Sequence, residues 1–229
     1  MNDITKRTPS TPSASRAASF LAAAVAANKA AGRGRLIFAL DATASRECMW
    51  DTARRLQGDM FHEVAAIGGL DVQLVYYRDL DECRASRWVS RPEQLADLMA
   101  KITCRTGITQ ISRVLAHAKR ETKTNKVQAL VFVGDAMEEK LGELRDAAAE
   151  LRRLGVPAFM FQEGDDPRVE RAFREIARVT HGAFARFDPN APDQLRELLR
   201  GAATFAVGGT DALKLSNKAG ATKLLSQLK

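Results

Sequence analysis

The sequence predicts a doubly wound α/β fold, in which helices cover both faces of a mostly parallel sheet that has one antiparallel edge strand. Two observations support this prediction. Short apolar runs alternate along the chain with longer segments in which apolar residues recur every three or four positions. In addition, one pair of neighbouring strands is joined by too few residues for a helical crossover, so these two strands form a hairpin.

In the first half of the domain, Leu36–Leu40 is a dense apolar run, as expected for a strand that is buried on both faces. A helix with apolar residues at helical spacing follows over residues 46–67. The strands over residues 72–77 and 84–89 are close in sequence and form the antiparallel edge hairpin. The helix over residues 92–102 begins with a proline, which is well tolerated in a first turn.

The second half of the domain continues the alternation after a loop over residues 103–109. Glu138 and Glu139 are expected in the first turn of the helix that begins at residue 137, where negative charge complements the helix dipole. Asp166 followed by Pro167 predicts an N-cap and the start of another helix. The predicted elements are helices over 110–122, 137–154, 166–179 and 191–202, and strands over 129–133, 156–161 and 183–187.

The charge distribution separates the domain from its two ends. The formal net charge of +7 lies in residues 1–34 and 203–229, whereas residues 35–202 carry no net charge. We therefore predict a flexible N-terminal segment with a short alanine-rich helix, an α/β domain over residues 35–202, and a basic C-terminal tail over residues 203–229. The neutral domain argues against a nucleic-acid-binding face on its body.

Cysteine usage and hydropathy indicate a cytoplasmic protein. Cys48, Cys83 and Cys104 match no zinc-binding spacing, and an odd number of thiols favours a reduced environment. No apolar run is long enough to span a membrane. Basic residues precede the apolar run 17–27, as in a signal peptide, but this run is mostly alanine, so secretion is not expected.

Oxygen-bearing side chains follow the first buried strand at alternate positions, in an Asp-x-Thr-x-Ser run formed by Asp41, Thr43 and Ser45. Two further oxygen donors lie where doubly wound folds bind ligands: Thr109 in the loop before a helix, and Asp135 after a later buried strand. Each residue alone could be a helix N-cap, because Asp, Ser and Thr are preferred there. A cap does not account for three convergent segments that all carry such donors.

These three motifs resemble the metal-ion-dependent adhesion site (MIDAS) of von Willebrand factor A (VWA) domains, which have a Rossmann-like fold. That site combines Asp-x-Ser-x-Ser, in which threonine can replace either serine, with a threonine in a second loop and an aspartate after a later strand. The order and spacing of the motifs agree over roughly residues 35–200. Two residues beside these motifs differ from the family. Ile108 precedes the loop threonine where the family often has glycine, and Ala136 follows Asp135 where glycine is also more usual.

The resemblance implies a Mg²⁺ site, with Mn²⁺ or Ca²⁺ as alternatives, and no catalytic centre. Thr43, Ser45 and Thr109 would supply hydroxyl ligands, and Asp41 and Asp135 would act largely through bound water. In this family a carboxylate of a partner protein commonly fills the last coordination position. The resemblance therefore implies cation-dependent binding of an acidic protein partner.

Two other functions stay open on the sequence. A metal-dependent hydrolase can also carry an aspartate after its first strand, but phosphatases of the haloacid-dehalogenase type need a second aspartate at the position of Thr43. The chain also has no nucleophile elbow and no phosphate-binding loop. The second alternative is binding of nucleic acid or another anionic surface through the basic tails, which predicts a steep dependence on salt and none on chelator.

Overall fold

The computed structural model describes residues 33–44, 47–64 and 69–228. Ser45 and the predicted N-terminal segment, apart from Arg33 and Gly34, lie outside these residues. None of the described helices is sufficiently long and apolar to cross a membrane. The strands are β1 (Gly34–Asp41), β2 (Leu70–Arg78), β3 (Glu82–Val89), β4 (Ala129–Gly134), β5 (Ala158–Glu163) and β6 (Phe184–Phe187). The helices are α1 (Glu47–Val64), α2 (Pro92–Ala100), α3 (Ile111–Thr124), α4 (Leu141–Arg153), α5 (Pro167–Thr180), α6 (Pro192–Leu215) and α7 (Ala219–Leu225).

The strands of the described residues form one mixed sheet in the order β3-β2-β1-β4-β5-β6. Five strands run parallel, and β3 at one edge runs antiparallel to β2. The predicted α/β architecture with an antiparallel edge strand is therefore confirmed. The first described strand, β1, lies in the middle of the sheet, with β2 on one side and β4 on the other. The topological switch point thus lies between β1 and β4.

Helices bury both faces of the sheet. Leu36, Phe38 and Leu40 of β1 pack in one cluster with α1, α2, α6 and α7. Ile37 and Ala39 pack in a second cluster with α3, α4 and α5. Successive side chains of a strand point to opposite faces, so a strand that is covered on both sides needs consecutive apolar residues. This requirement explains the dense apolar run at the start of the domain.

The C-terminal part of the chain departs from the prediction. Helix α6 does not end at residue 202 but continues to Leu215, with a kink at Gly209, whose φ is 62°. Ala206 and Val207 are buried in the cluster that covers one face of the sheet. The predicted helix end was wrong because this stretch packs mainly small side chains, whose hydrophobic periodicity is weak. Residues 203–225 therefore belong to the packed body.

The end of the chain covers the open edge of β6. Gln227, just beyond α7, accepts a hydrogen bond from the backbone N–H of Phe184 at 3.0 Å and donates one to its carbonyl at 2.7 Å. Lys223 of α7 donates to the carbonyl of Arg186 at 3.3 Å. These side chains bond to the edge where a further strand would pair, which hinders edge-to-edge association.

The packing of α7 on α6 can be tested at Gly220, where a Cβ would overlap the backbone carbonyl of Glu197. We expect Gly220→Ala to lower the free energy of unfolding by about 1–3 kcal/mol, because overpacking forces the two backbones apart. Gly142→Ala in α4 is the matched control, since a Cβ there meets nothing within 4 Å, and it should stabilise slightly. Urea unfolding measures the free energy of unfolding of both variants, and equal changes in the two would contradict close packing of α7 on α6.

Candidate metal site at the carboxyl edge of the sheet

Two of the predicted ligands lie where the central strands β1 and β4 end. These strands are adjacent and parallel, and their register pairs Leu40 with Val133. Asp41 and Gly134, the next residues along the two strands, are therefore level with each other, and Asp135 follows directly. This edge is the switch point of the sheet, where doubly wound folds leave a crevice for a ligand.

Asp41 is buried, with 2% of its surface exposed, and its carboxylate is held by the turn that follows β1. The backbone N–H of Thr43 donates to Asp41 Oδ1 at 2.7 Å, which forms an Asx turn and fixes that oxygen. The N–H of Ala42 donates to the carbonyl of Tyr77 in β2 at 3.0 Å. Thr43 is also buried. Hydrogen bonds within the turn and to β2 therefore fix the position of Asp41, where the Asp-x-Thr-x-Ser motif begins.

The loop between α2 and α3 crosses the ends of β1 and β2. The N–H of Arg105 donates to the carbonyl of Ala42 at 3.0 Å, and Thr43 and Arg105 form an isolated parallel bridge. This bonding extends the sheet slightly beyond the end of β1. Thr109, near the end of the loop, is buried. The loop therefore brings the second motif to the same edge as the first.

Gly107 allows this loop to approach the turn of the β2–β3 hairpin closely. Asp79 N–H donates to the carbonyl of Thr106, and Ile108 N–H donates to the carbonyl of Asp79, both at 3.1 Å. A Cβ on Gly107 would lie 2.7 Å from the Asp79 carbonyl oxygen and even closer to its amide nitrogen. Only glycine therefore fits at this contact. Asp79 itself has a φ of 54°, a conformation that aspartate tolerates better than most residues.

Glu138 and Glu139 hold the loop from the side opposite the β2–β3 hairpin, and their role differs from the predicted one. Helix α4 begins after both of them, so neither lies in its first turn. Glu138 accepts a hydrogen bond from the N–H of Thr109 at 3.1 Å. Glu139 accepts hydrogen bonds from the N–H groups of Ile111 and Ser112 and so caps α3 instead. The carboxylates complement a helix dipole, as expected, but the helix is α3 and not α4.

Arg78 fastens the loop to the β2–β3 hairpin. Its guanidinium donates to both carboxylate oxygens of Glu82, at 3.0 and 3.1 Å, and to the carbonyl of Thr103 at 2.6 Å. The side-chain amide of Gln110 donates to the carbonyl of Arg78 at 3.1 Å. The hydrogen bond from Arg78 lowers the pKa of Glu82, and a second one from the Tyr76 hydroxyl adds to this effect. Glu82 therefore stays ionised and paired at neutral pH.

Two large apolar side chains are exposed beside this edge. Leu80 is 74% exposed and Ile108 is 42% exposed. They are neighbours, because Leu80 follows Asp79 in the hairpin turn and the N–H of Ile108 donates to the carbonyl of Asp79. We call this pair the apolar rim.

Four of the five predicted ligands thus belong to segments that meet at this edge: Asp41, Thr43, Thr109 and Asp135. Their donors are carboxylate and hydroxyl oxygens, which suit Mg²⁺, Mn²⁺ or Ca²⁺. Within the described part of the chain, no group of three or more His, Cys, Asp or Glu side chains could hold a metal ion. A cation at this edge would therefore rely on hydroxyl groups as well as carboxylates. Cation binding by these residues stays a prediction.

Comparisons with known proteins find similarity at the level of the fold. The chain matches no protein-family model and no curated protein sequence. Among solved structures, it is similar to a von Willebrand factor type A protein from Catenulispora acidiphila, with a TM-score of 0.62 and 15% identity over 76% of this chain and 43% of that chain. An aerotolerance-related membrane protein from Bacteroides fragilis has a TM-score of 0.57 and 17% identity over 74% of this chain and 98% of that chain.

A third similar structure is that of proximal thread matrix protein 1 from the mussel byssus, with a zinc-occupied MIDAS motif. Its TM-score is 0.60, with 17% identity over 75% of this chain and 46% of that chain. This chain therefore spans less than half of the Catenulispora and mussel chains, but nearly all of the Bacteroides chain. At these identities the similarity concerns the fold alone.

The contact between the loop and the hairpin can be tested at Gly107. We expect Gly107→Ala to separate the two segments, because the new Cβ would overlap the backbone of Asp79. The amide protons of Asp79 and Ile108 should then exchange with solvent at least about tenfold faster, as measured by NMR. Gly142→Ala, the same change in open space, should leave both rates unchanged. Retained protection in the Gly107 variant would contradict this arrangement.

Proposed function

We propose that this chain, which has the von Willebrand factor A fold, is a cytosolic protein-binding module that depends on a divalent cation and has no catalytic activity of its own. The proposed ligands of the cation are Asp41, Thr43, Ser45, Thr109 and Asp135. The cation is Mg²⁺, with Mn²⁺ or Ca²⁺ as alternatives. A carboxylate of the partner protein would complete its coordination.

The observation that carries this proposal is the parallel pairing of β1 with β4. Because of it, Asp41 is level with Gly134, one residue before Asp135. The loop that contains Thr109 is hydrogen-bonded to the turn after β1 and to Glu138 beyond β4. Helix caps would not need these segments to converge, because each cap serves its own helix. Convergence of oxygen donors at a switch point favours a shared ligand.

The donor set fits a hard cation in chemistry and in charge. Two aspartates balance a divalent ion, and hydroxyl groups add neutral oxygen ligands. A bound cation supplies Lewis acidity toward an incoming carboxylate. The chain itself keeps the donors in position: the N–H of Thr43 fixes one oxygen of Asp41, and Glu138 holds the backbone of Thr109.

The mussel protein supports the choice of a cation site, because its similar fold carries a zinc-occupied MIDAS motif. Zinc in proteins is commonly bound by nitrogen and sulfur ligands, whereas magnesium and calcium prefer oxygen. The proposed donors in this chain are all oxygen atoms. The ligand chemistry therefore favours Mg²⁺, Mn²⁺ or Ca²⁺ here.

The apolar rim indicates the kind of partner that fits this edge. Leu80 and Ile108 would bury apolar surface on contact, and full burial of such a side chain contributes about 1.5–3 kcal/mol. We therefore expect the partner to present an acidic residue next to an aliphatic or aromatic one. The rim supplies apolar contact area beside the proposed cation, which a docked partner can cover.

Calorimetric titration of Mg²⁺ and Mn²⁺ into the purified chain tests the proposed site. We expect saturable binding of about one ion per chain. Asp41→Asn and Asp135→Asn should each weaken it at least about tenfold, because each removes a negative charge and keeps an amide oxygen. Asp146→Asn, at an exposed position on α4, is the matched control and should bind like the wild type.

Thermal unfolding followed by circular dichroism establishes that all four proteins are folded. The absence of saturable binding to the folded wild type would contradict the proposal. So would equal cation affinity in the wild type and the three variants.

A further inference from the structure

A second cleft lies between the edge strand β3 and helix α3, outside the candidate metal site. Its volume is about 250 Å³. Val75 and Ala85 of the hairpin and Ala116 of α3 give it apolar walls. Its other lining residues are three arginines, a histidine and a cysteine, and none of the described residues that line it is acidic. The cleft therefore combines a small apolar floor with a strongly positive border.

Two of these arginines form no ion pair with any of the described residues. Arg113 and Arg120 are seven residues apart, so they lie on one face of α3, about 10 Å apart along its axis. Among the described residues, neither forms an ion pair with a carboxylate, and Arg113 donates to the backbone carbonyl of Asp81. The third arginine, Arg84, is paired with Glu82 at 3.1 Å. The cleft thus carries two guanidinium groups that pair with no carboxylate of the described residues, and nearby acidic charges, those of Glu139 and Glu121, act on Cys83 and His117.

His117 lies between these two arginines along α3 and also lines the cleft. Its Nε2 is 2.8 Å from the side-chain oxygen of Gln73, whose amide nitrogen donates to the carbonyl of Ser86. Nε2 therefore carries the proton of the neutral ring. Burial lowers the pKa of His117, Glu121 raises it and Arg120 lowers it. The ring is neutral at pH 7, and an anion in the cleft would favour its protonation.

A different arginine-rich cleft, lined by residues of α4, α5 and β6 and by Gln227 beyond α7, is partly neutralised, because two of its three arginines are paired. There Arg174 is paired with Glu170 at 2.7 Å, and Arg178 is paired with Glu175 at 2.8 Å. This cleft also lies at the C-terminal end of α5, where the helix dipole disfavours anions. The cleft between β3 and α3 is therefore the stronger candidate for an anion.

We propose that the cleft between β3 and α3 binds a phosphate group, either as free inorganic phosphate or as a phosphate monoester. Two guanidinium groups without an ion-pair partner among the described residues match the charge of about −1.5 to −2 that a phosphate monoester carries near pH 7. Their planar donor groups form paired hydrogen bonds with phosphate oxygens. A volume of 250 Å³ is below the roughly 300–1,000 Å³ of pockets for drug-sized ligands, so the cleft accommodates a phosphoryl group rather than a nucleotide.

Calorimetric titration with sodium phosphate tests this site. The titration is done at constant ionic strength and with a chelator present. The chelator prevents phosphate from binding through a metal ion, so the result is independent of the proposed cation site. We expect one phosphate per chain, and at least about tenfold weaker binding when Arg113→Gln and Arg120→Gln are combined. Arg145→Gln combined with Arg152→Gln removes the same charge at the same spacing on α4, and should change the affinity less than about twofold.

The ring protons of His117 give a local readout by NMR. Phosphate should raise the pKa of His117, because a nearby dianion stabilises the imidazolium. The ring-proton signals of the other two histidines should not move when phosphate is added. Binding of O-phosphoserine as tight as that of phosphate would support the site as one for monoesters, and binding of phosphate alone would support it as one for the free ion. Three results would overturn the proposal: no phosphate binding to the folded chain, equal weakening in the two double variants, or a His117 pKa that phosphate leaves unchanged.

Discussion

The parallel pairing of β1 with β4 is the constraint on which the rest of the structure depends. Helices cover both faces of these strands, so their interior positions are apolar and polar side chains are confined to their ends. The register then makes Asp41 level with Gly134 and brings Asp135 to the same edge. Burial of the strands therefore explains why Asp41 is the last residue of β1 and why Asp135 comes directly after β4. The same pairing places the switch point of the sheet at this edge.

Satisfaction of backbone hydrogen bonds determines the position of the loop that carries Thr109. A loop that crosses the end of a sheet must find partners for its buried N–H and C=O groups. Here the partners are the ends of β1 and β2 and the carboxylates of two glutamates. The close contact with Asp79 requires glycine at position 107, and the bond from Ile108 to Asp79 keeps Ile108 beside Leu80. The bonds that position the threonine therefore also form the apolar rim.

Local sequence signals were enough to predict the sheet, its antiparallel edge strand and the edge where the segments that carry Asp41, Thr43, Thr109 and Asp135 meet. Dense apolar runs identify β1 and β4, and the short link identifies the hairpin. The continuation of α6 through Ala206 was not predicted, because small side chains give a weak periodic pattern even when they are buried. The cap that Glu139 provides for α3 was not predicted either, because it joins residues 28 positions apart. Spacing along the chain contains no information about contacts of that kind.

The central claim is that one cation binds where the turns after β1 and β4 and the loop before α3 meet. An anomalous difference map from crystals of the chain soaked in Mn²⁺ tests this claim most directly, because it locates the metal without assumptions about its ligands. The account predicts a single peak among the hydroxyl oxygens of Thr43, Ser45 and Thr109, with Asp41 and Asp135 around it. A peak elsewhere, or no peak at Mn²⁺ concentrations that saturate the chain in solution, would contradict it.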